Sequence, residues 1–152
     1  MLNKLTKTNF KPQSFAVVGV SSLLKRNFVK YYTQNHEWID VNGKETKSGI
    51  SEKAAKDLGD IVYVELPEVG ETFPKDETYG VIESVKAASD VYMPVESEII
   101  EVNEKLIDDP GLVNQSAETE GWLIKVVIKN HDELKSLMNK EEYVKFCEQE
   151  EH

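Results

Sequence analysis

Sulfur and metal ligands are scarce in this sequence. The 152 residues include one cysteine, Cys147, so no disulfide can form within the chain, which fits a reducing compartment. Any redox chemistry would depend on an attached group, because the chain has no cysteine pair. Its three histidines, His36, His131 and His152, are scattered and lack the spacing of a metal site.

Acidic residues are absent from the first 36 positions and abundant after them. Residues 1–30 contain six basic residues, whereas residues 31–152 contain 12 basic and 28 acidic residues, a net charge of −16. A basic leader with Ser and Thr but no acid predicts a mitochondrial or plastid transit peptide over residues 1–30, followed by one domain over residues 31–152. The alternative is a disordered basic tail that stays attached. The basic residues of the leader are Lys4, Lys7, Lys11, Lys25, Arg26 and Lys30.

Long hydrophobic runs and the common catalytic motifs are absent too. The apolar stretch at residues 15–20 is short and precedes Lys25 and Arg26, so neither a secretory signal nor a membrane span is predicted. The sequence contains no Gly-x-Gly-x-x-Gly, no phosphate-binding loop and no Gly-x-Ser-x-Gly. An acidic domain would repel nucleic acid and would suit docking onto basic patches of protein partners.

What the sequence does contain is a series of short β-rich runs separated by Gly, Pro and Asn. Period-two alternation is clearest at residues 122–128. Ser51 as an N-cap and Gly59 after the last turn predict a short helix, and helical spacing from Asp132, with a break near Asn139, predicts a second. The fold class is therefore mainly β: a flattened barrel-sandwich hybrid of short antiparallel strands with a short N-terminal-side helix and a C-terminal amphipathic helix. The other predicted strands lie within 31–41, 61–66, 80–94 and 98–102, and Pro110 predicts a single helical turn in the polar segment 103–116.

Lys86 lies at the centre of the stretch from Gly80 to Pro94, where two short strands flank a tip of small residues. Three roles fit a lysine at this place. A solvated turn lysine is the commonest. A Schiff-base lysine is disfavoured, because Glu83 and Asp90 would stabilise the charged form. The third role is a modification site, which needs an exposed and rigid tip. On composition alone, the solvated turn lysine is favoured over the other two roles.

Several blocks between Tyr32 and Glu148 carry a resemblance to one known family. They are His36-Glu37-Trp38, Leu58-Gly59-Asp60-Ile61-Val62, residues 64–70, residues 80–92, Glu101-Val102-Asn103, Leu112-Val113-Asn114 and residues 121–125. Taken in this order, they closely resemble the H protein of the glycine cleavage system, over essentially the whole presumed domain. The resemblance implies a flattened barrel-sandwich with lipoate in amide linkage on Lys86. Biotin carriers have Met on both sides of the lysine, whereas Val85 and Ala87 flank it here.

The resemblance also implies a function. Members of this family are carriers, not catalysts, of glycine catabolism. A pyridoxal-phosphate glycine decarboxylase loads an aminomethyl group onto the lipoyl arm, and an aminomethyltransferase passes the one-carbon unit to tetrahydrofolate. Dihydrolipoyl dehydrogenase then reoxidises the dithiol. We therefore expect a lipoylated carrier of the mitochondrial matrix that binds these enzymes and a lipoylating enzyme, with no nucleic acid or membrane partner, and a monomer, because one arm serves several enzymes.

Three carboxylates are candidate supporting residues by the same resemblance. Glu37 and Asp90 match positions that could hold the amine of the loaded arm through charge-assisted hydrogen bonds. Glu83 and Asp90 are also candidates for recognition by the lipoylating enzyme, with a solvated hairpin flank as the equal alternative. The family usually has Gly where Asp76 and Ser97 stand, so we expect turns at both positions.

Two other functions remain open from the sequence. One is a lipoyl relay protein that supplies lipoate to other complexes and has lost glycine cleavage. The other, from a different class, is an unmodified β-sandwich interaction module, for which Lys86 would be dispensable. An enzyme is a distant third, because no nucleophile, base and oxyanion donors assemble in the sequence.

Overall fold

The computed structural model describes residues 29–43 and 45–151, which form nine strands, four α-helices and one 3-10 helix. The predicted leader falls almost wholly outside the described residues, and its predicted end at residue 30 lies within the first strand. The strands are β1 (Val29–Tyr32), β2 (Glu37–Val41), β3 (Thr46–Ile50), β4 (Ile61–Glu65), β5 (Thr72–Phe73), β6 (Thr78–Ser84), β7 (Ala88–Tyr92), β8 (Ser97–Val102) and β9 (Ile124–Ile128). The helices are α1 (Glu52–Leu58), α2 (Lys105–Asp108), α3 (Leu112–Ser116) and α4 (Lys140–Glu150), and the 3-10 helix is His131–Ser136.

The strands form two antiparallel sheets. The larger sheet has the order β1-β2-β3-β9-β8-β5, and the smaller has the order β4-β6-β7. Both sheets contribute to one apolar core, in which Ile82 and Val91 of the small sheet are clustered with Ile39, Ile99 and Ile124 of the large one. The sheets form a flattened sandwich and do not close into a barrel, so the predicted mainly β antiparallel fold is confirmed.

Helix α1 begins and ends where its sequence predicts. The Ser51 side chain accepts a hydrogen bond from the Ala54 amide at 3.1 Å, which satisfies one free N–H of the first turn. Gly59 follows the last helical residue with φ of +82°, a conformation that side chains disfavour. The helix therefore stops sharply and leads directly into β4.

Helix α4 closes one end of the sandwich and confirms the predicted break near Asn139. Asn139 and Glu142 form a reciprocal capping box, which separates α4 from the preceding 3-10 helix. The ring of Tyr143 stacks on Tyr32 with centroids 4.3 Å apart. These two residues and Trp38 form a second buried cluster, so the C-terminal helix packs against β1 and β2.

Two local expectations are wrong. Segment 103–116 forms two short helices, α2 and α3, where the sequence predicts a single turn. Ser97 is a buried residue of β8 and not a turn residue, because its hydroxyl donates to the Val95 carbonyl at 2.9 Å and is satisfied inside the sheet. Asp76 does lie in a turn, with φ of +69°.

Candidate functional site

Strands β6 and β7 form the predicted hairpin around Lys86. Their register pairs Gly80 with Val91 and Glu83 with Ala88, which leaves residues 84–87 as the turn. Gly80 permits this arrangement, because a Cβ there would lie 2.5 Å from the Glu65 carbonyl oxygen of β4. The absence of a side chain thus lets β4 approach β6 closely and supports the hairpin from one side.

Ser84 holds the turn in one conformation. Its amide donates to the Ala87 carbonyl at 2.7 Å, and its side-chain oxygen accepts from the amides of Ala87 at 3.1 Å and Lys86 at 3.3 Å. A hydroxyl that caps its own turn in this way restricts the backbone on both sides of Lys86. The tip is therefore rigid although it is exposed.

The turn is also bound to the rest of the domain. The Val85 amide donates to the Asp60 carbonyl at 3.0 Å. Asn114 of α3 holds the segment that contains Asp60: its side-chain amide donates to the Gly59 carbonyl at 2.9 Å, and its side-chain oxygen accepts from the Ile61 amide at 2.9 Å. Helix α3 thus fixes the end of α1, which in turn fixes the hairpin.

Lys86 is exposed at the tip, and its side chain lies over Gly59. Its Cε is 3.3 Å from the place where a Cβ on Gly59 would stand, so the lysine stem runs along the bare backbone of that glycine. Within the described residues the Lys86 ammonium forms no ion pair or hydrogen bond. Val85 and Ala87 are exposed on either side, so an enzyme can reach the amine.

A cleft of about 210 Å³ lies between β7, helix α1 and the loop before β2. It brings together two of the candidate carboxylates, Glu37 and Asp90. Glu83 is exposed on β6 and does not line the cleft. Leu58 lines the cleft and directly precedes Gly59, over which the Lys86 stem lies. The other lining residues are Asn35, His36, Ile50, Ala54, Asp57, Ile82, Ser89 and Val91.

Glu37 lies at the base of this cleft and is only 2% exposed. Its carboxyl group accepts hydrogen bonds from the Thr33 hydroxyl and from the Tyr92 amide, the latter at 3.3 Å. Burial raises the pKa of Glu37 to about 7, against the opposing effect of these two hydrogen bonds. A carboxyl group in this state can ionise in response to a nearby cation, which makes the cleft suited to an amine.

The supporting residues Thr33, Ser84 and Asn114 are not among the sequence-predicted site residues. Asn114 and Ser84 belong to blocks that carry the family resemblance, so their positions in those blocks are the one signal for them. Thr33 and Ser84 bind local backbone or a neighbouring side chain, contacts that any Ser or Thr in a turn can make. Within residues 29–43 and 45–151 no cluster of potential metal ligands occurs, and no helix there is long and apolar enough to span a membrane.

Comparisons with known proteins point in one direction. A family model described as "Glycine cleavage H-protein" matches residues 30–150. The glycine cleavage system H protein of Halothermothrix orenii is 50% identical over 120 residues, which cover 79% of this chain and 94% of the relative. The mitochondrial glycine cleavage system H protein of Flaveria pringlei is 43% identical over 150 residues, 99% of this chain and 89% of the relative. The crystal structure of a glycine cleavage system H protein from Mycobacterium marinum superposes with a TM-score of 0.67 at 32% identity, covering 81% of this chain and 97% of that one.

Proposed function

The chain belongs to the glycine cleavage H-protein family, the shuttle component of the glycine cleavage system, and we propose that Lys86 carries its lipoate. The observation that carries this proposal is the exposed Lys86 amine on a hairpin turn that is hydrogen-bonded to the domain. The amide forms between Nζ and an activated lipoyl carboxyl group, with loss of a proton from the amine and of the activating group from the carboxyl. A lipoylating enzyme supplies that activated group, and the exposed carboxylates of Glu83 and Asp90 are the residues it recognises beside Lys86.

The attached group supplies the redox chemistry that the single cysteine of the chain cannot supply. When bound, lipoate would supply a disulfide that takes the aminomethyl carbon of glycine on one sulfur and a proton on the other, with the two electrons coming from the carbon–carboxyl bond of glycine as CO2 leaves. The chain's own part is to bind and to shield. Glu37 and Asp90 accept hydrogen bonds from the amine of the cargo in the cleft, and the surrounding apolar side chains of the cleft exclude water.

The partners of this carrier follow from its place in the system. We expect a pyridoxal-phosphate glycine decarboxylase to load it, a folate-dependent aminomethyltransferase to unload it and dihydrolipoyl dehydrogenase to reoxidise it. The chain itself acts as a non-catalytic carrier. Its acidic domain favours basic docking surfaces on these enzymes, with association rates that fall as salt is added.

We also propose that the chain functions in the mitochondrial matrix after removal of its basic leader. The acid-free composition of residues 1–30 supports this location, as does the plant relative named mitochondrial, which aligns with 99% of this chain. Bacterial relatives carry no such word in their names, so the leader is the feature to test. N-terminal sequencing of the protein from its native cells should find a mature chain that begins near β1; a mature chain that retains residues 1–20 would contradict the proposal.

Intact-mass measurement of the protein from its native cells tests the attachment. We expect the mass to exceed that of the mature chain by one lipoyl group, and we expect Lys86→Ala to abolish the increase. Lys105→Ala is the matched control, because Lys105 is also an exposed lysine, on α2. A lipoyl mass that survives Lys86→Ala, or its loss in Lys105→Ala alone, would overturn the assignment.

A further inference from the structure

Helix α4 contacts one residue that lines the cleft, His36 in the loop before β2. The Nδ1 atom of His36 is 2.8 Å from the Tyr143 hydroxyl, and Nε2 is 3.0 Å from a carboxylate oxygen of Glu150. The imidazole also contacts the rings of Tyr143 and Phe146, with centroid distances of 5.7 and 5.8 Å. His36 itself lines the cleft, so a residue of the cleft wall is held from outside by the C-terminal helix.

The same tyrosine also contacts the start of helix α1, which lines another side of the cleft. The Tyr143 hydroxyl is 2.7 Å from the side-chain oxygen of Ser51, which caps the N-terminus of α1. The Ser51 amide donates to the His36 carbonyl at 2.8 Å and closes the network. Helix α1 forms the second wall of the cleft through Ala54, Asp57 and Leu58, and it ends at Gly59 beneath Lys86.

The backbone of His36 depends on these contacts. Its φ is +70°, a left-handed conformation that it shares with Asp76 alone among the described residues other than glycine. Such a conformation is stable for a non-glycine residue when the surroundings fix it. His36 directly precedes Glu37, and the Thr33 amide closes the turn by donating to the Glu37 carbonyl at 2.9 Å. His36 and Glu37 are therefore neighbours in one hydrogen-bonded turn at the start of β2.

We propose that His36 is a positioning residue that sets the spacing of the two cleft walls, so that α4 determines how well the cleft retains its cargo. The spacing of the walls is a property of the polypeptide alone. The retention of an aminomethyl group rests on the proposed function. The two parts can therefore be tested separately.

Amide hydrogen exchange on the full chain without lipoate tests the spacing, because a cleft wall that is no longer held in place opens more often and exchanges its amides faster. His36→Asn keeps a residue that tolerates positive φ but removes the contacts to Tyr143 and Glu150. We expect exchange at residues 34–37 and 52–58 to become about tenfold faster, the effect of losing about one hydrogen bond, while β6 and β7 keep their protection. His131→Asn, on the exposed 3-10 helix, is the matched control and should leave all of these segments unchanged.

Two milder variants keep the test decisive if His36→Asn does not fold. Tyr143→Phe removes the shared hydroxyl but keeps the ring that stacks on Tyr32, and Glu150→Gln changes only a group at the surface. Both should accelerate exchange in the same two segments, with Tyr63→Phe, an exposed tyrosine of β4, as the control. Unchanged exchange in these segments, or acceleration spread evenly over both sheets, would overturn the proposal.

Loading with glycine and the decarboxylase tests the retention. We expect the lipoylated His36→Asn chain to release its aminomethyl group to water several-fold faster than the wild type, with an unchanged lipoyl mass on Lys86. Unchanged release from a chain whose walls exchange faster would overturn the role of α4 in retention. A chain without any lipoyl mass would instead contradict the proposed function, and the exchange result would still decide the spacing.

Discussion

The small sheet has a cavity at each of its two edges, and the two cavities differ in size and in how deeply their carboxylates are buried. The β7 edge opens into the cleft of about 210 Å³ that contains buried Glu37, whereas the β4 edge opens into a groove of about 360 Å³. The groove is apolar, and its carboxylates, Glu65 and Glu104, are exposed. The remaining residues of the groove are Tyr63, Val64, Leu66, Pro67, Val102 and Ile107.

This difference indicates that desolvated charge, and not volume, marks the site for a cationic group. A carboxylate in the open groove gains little from an amine, because water screens both groups. A carboxyl group whose pKa burial raises to about 7 gains more, because an amine supplies the partner that its charged form lacks. The smaller cavity is therefore the better candidate for binding an amine.

The largest effect is expected when the buried charge is removed. Glu37 has its pKa raised to about 7 from an ordinary 4.5, so folding takes up a proton between these values. The stability that protonated Glu37 contributes is fully present below pH 4.5 and is lost as the pH rises through 7. This loss lowers the free energy of unfolding by about 3 kcal/mol. We expect Glu37→Gln to abolish this loss, to stabilise the empty chain at pH 8 by about 2 kcal/mol and to weaken retention of the aminomethyl group. Urea unfolding at pH 5 and pH 8 measures the pH dependence and the stabilisation at pH 8.

Glu65→Gln is the matched control at the other edge of the sheet. Glu65 is exposed, so this variant should change the free energy of unfolding by less than about 0.5 kcal/mol at either pH. If Glu65→Gln and Glu37→Gln changed the pH dependence equally, the contrast between the two edges would be lost.

A smaller effect is expected at the support of the cleft and hairpin. Asn114→Ala removes two hydrogen bonds to the Gly59–Ile61 segment, so we expect it to lower the free energy of unfolding by about 2 kcal/mol. Lipoylation of Lys86 should also become slower, because the turn loses its indirect support. Gln115→Ala, at the next position of α3, which is also exposed, is the control and should change the free energy of unfolding by less than about 0.5 kcal/mol. Equal behaviour of the two variants would show that Asn114 has no special role.

The smallest effect is expected in the groove. Ile107 is 68% exposed on α2, so Ile107→Ser should change the free energy of unfolding by less than about 0.5 kcal/mol and leave retention of the aminomethyl group unchanged. Faster release from Ile107→Ser, measured beside Glu37→Gln, would place part of the cargo site at the β4 edge.

Local signals in the sequence were sufficient for much of the fold. Ser51 and Gly59 predict the two ends of α1, because capping depends on residues within a few positions of one another. The alternation at β9 and the break near Asn139 before α4 are local in the same sense. Helix α2 was not predicted, because its four residues, Lys105–Asp108, are too few to show the periodicity of a helix.

The candidate site required more than local signals. Glu37 and Asp90 were named from a resemblance, but their common cleft depends on contacts such as that of Glu37 with the Tyr92 amide, 55 positions away. The raised pKa of Glu37 depends on burial, which no spacing of residues reveals. The two bonds of Asn114 to Gly59 and Ile61 likewise join segments more than 50 positions apart.

The contact between His36 and Tyr143 spans 107 positions of the chain, whereas the Lys86 hairpin joins residues only a few positions apart. Contacts between distant positions form late in folding, because a long loop must be closed first. The hairpin and the supports described above end at Asn114, so they can form while α4 is still unmade, but the cleft walls must wait for the last residues. A nascent or C-terminally truncated chain would thus offer its lysine for modification before it has any means of protecting what that lysine later carries.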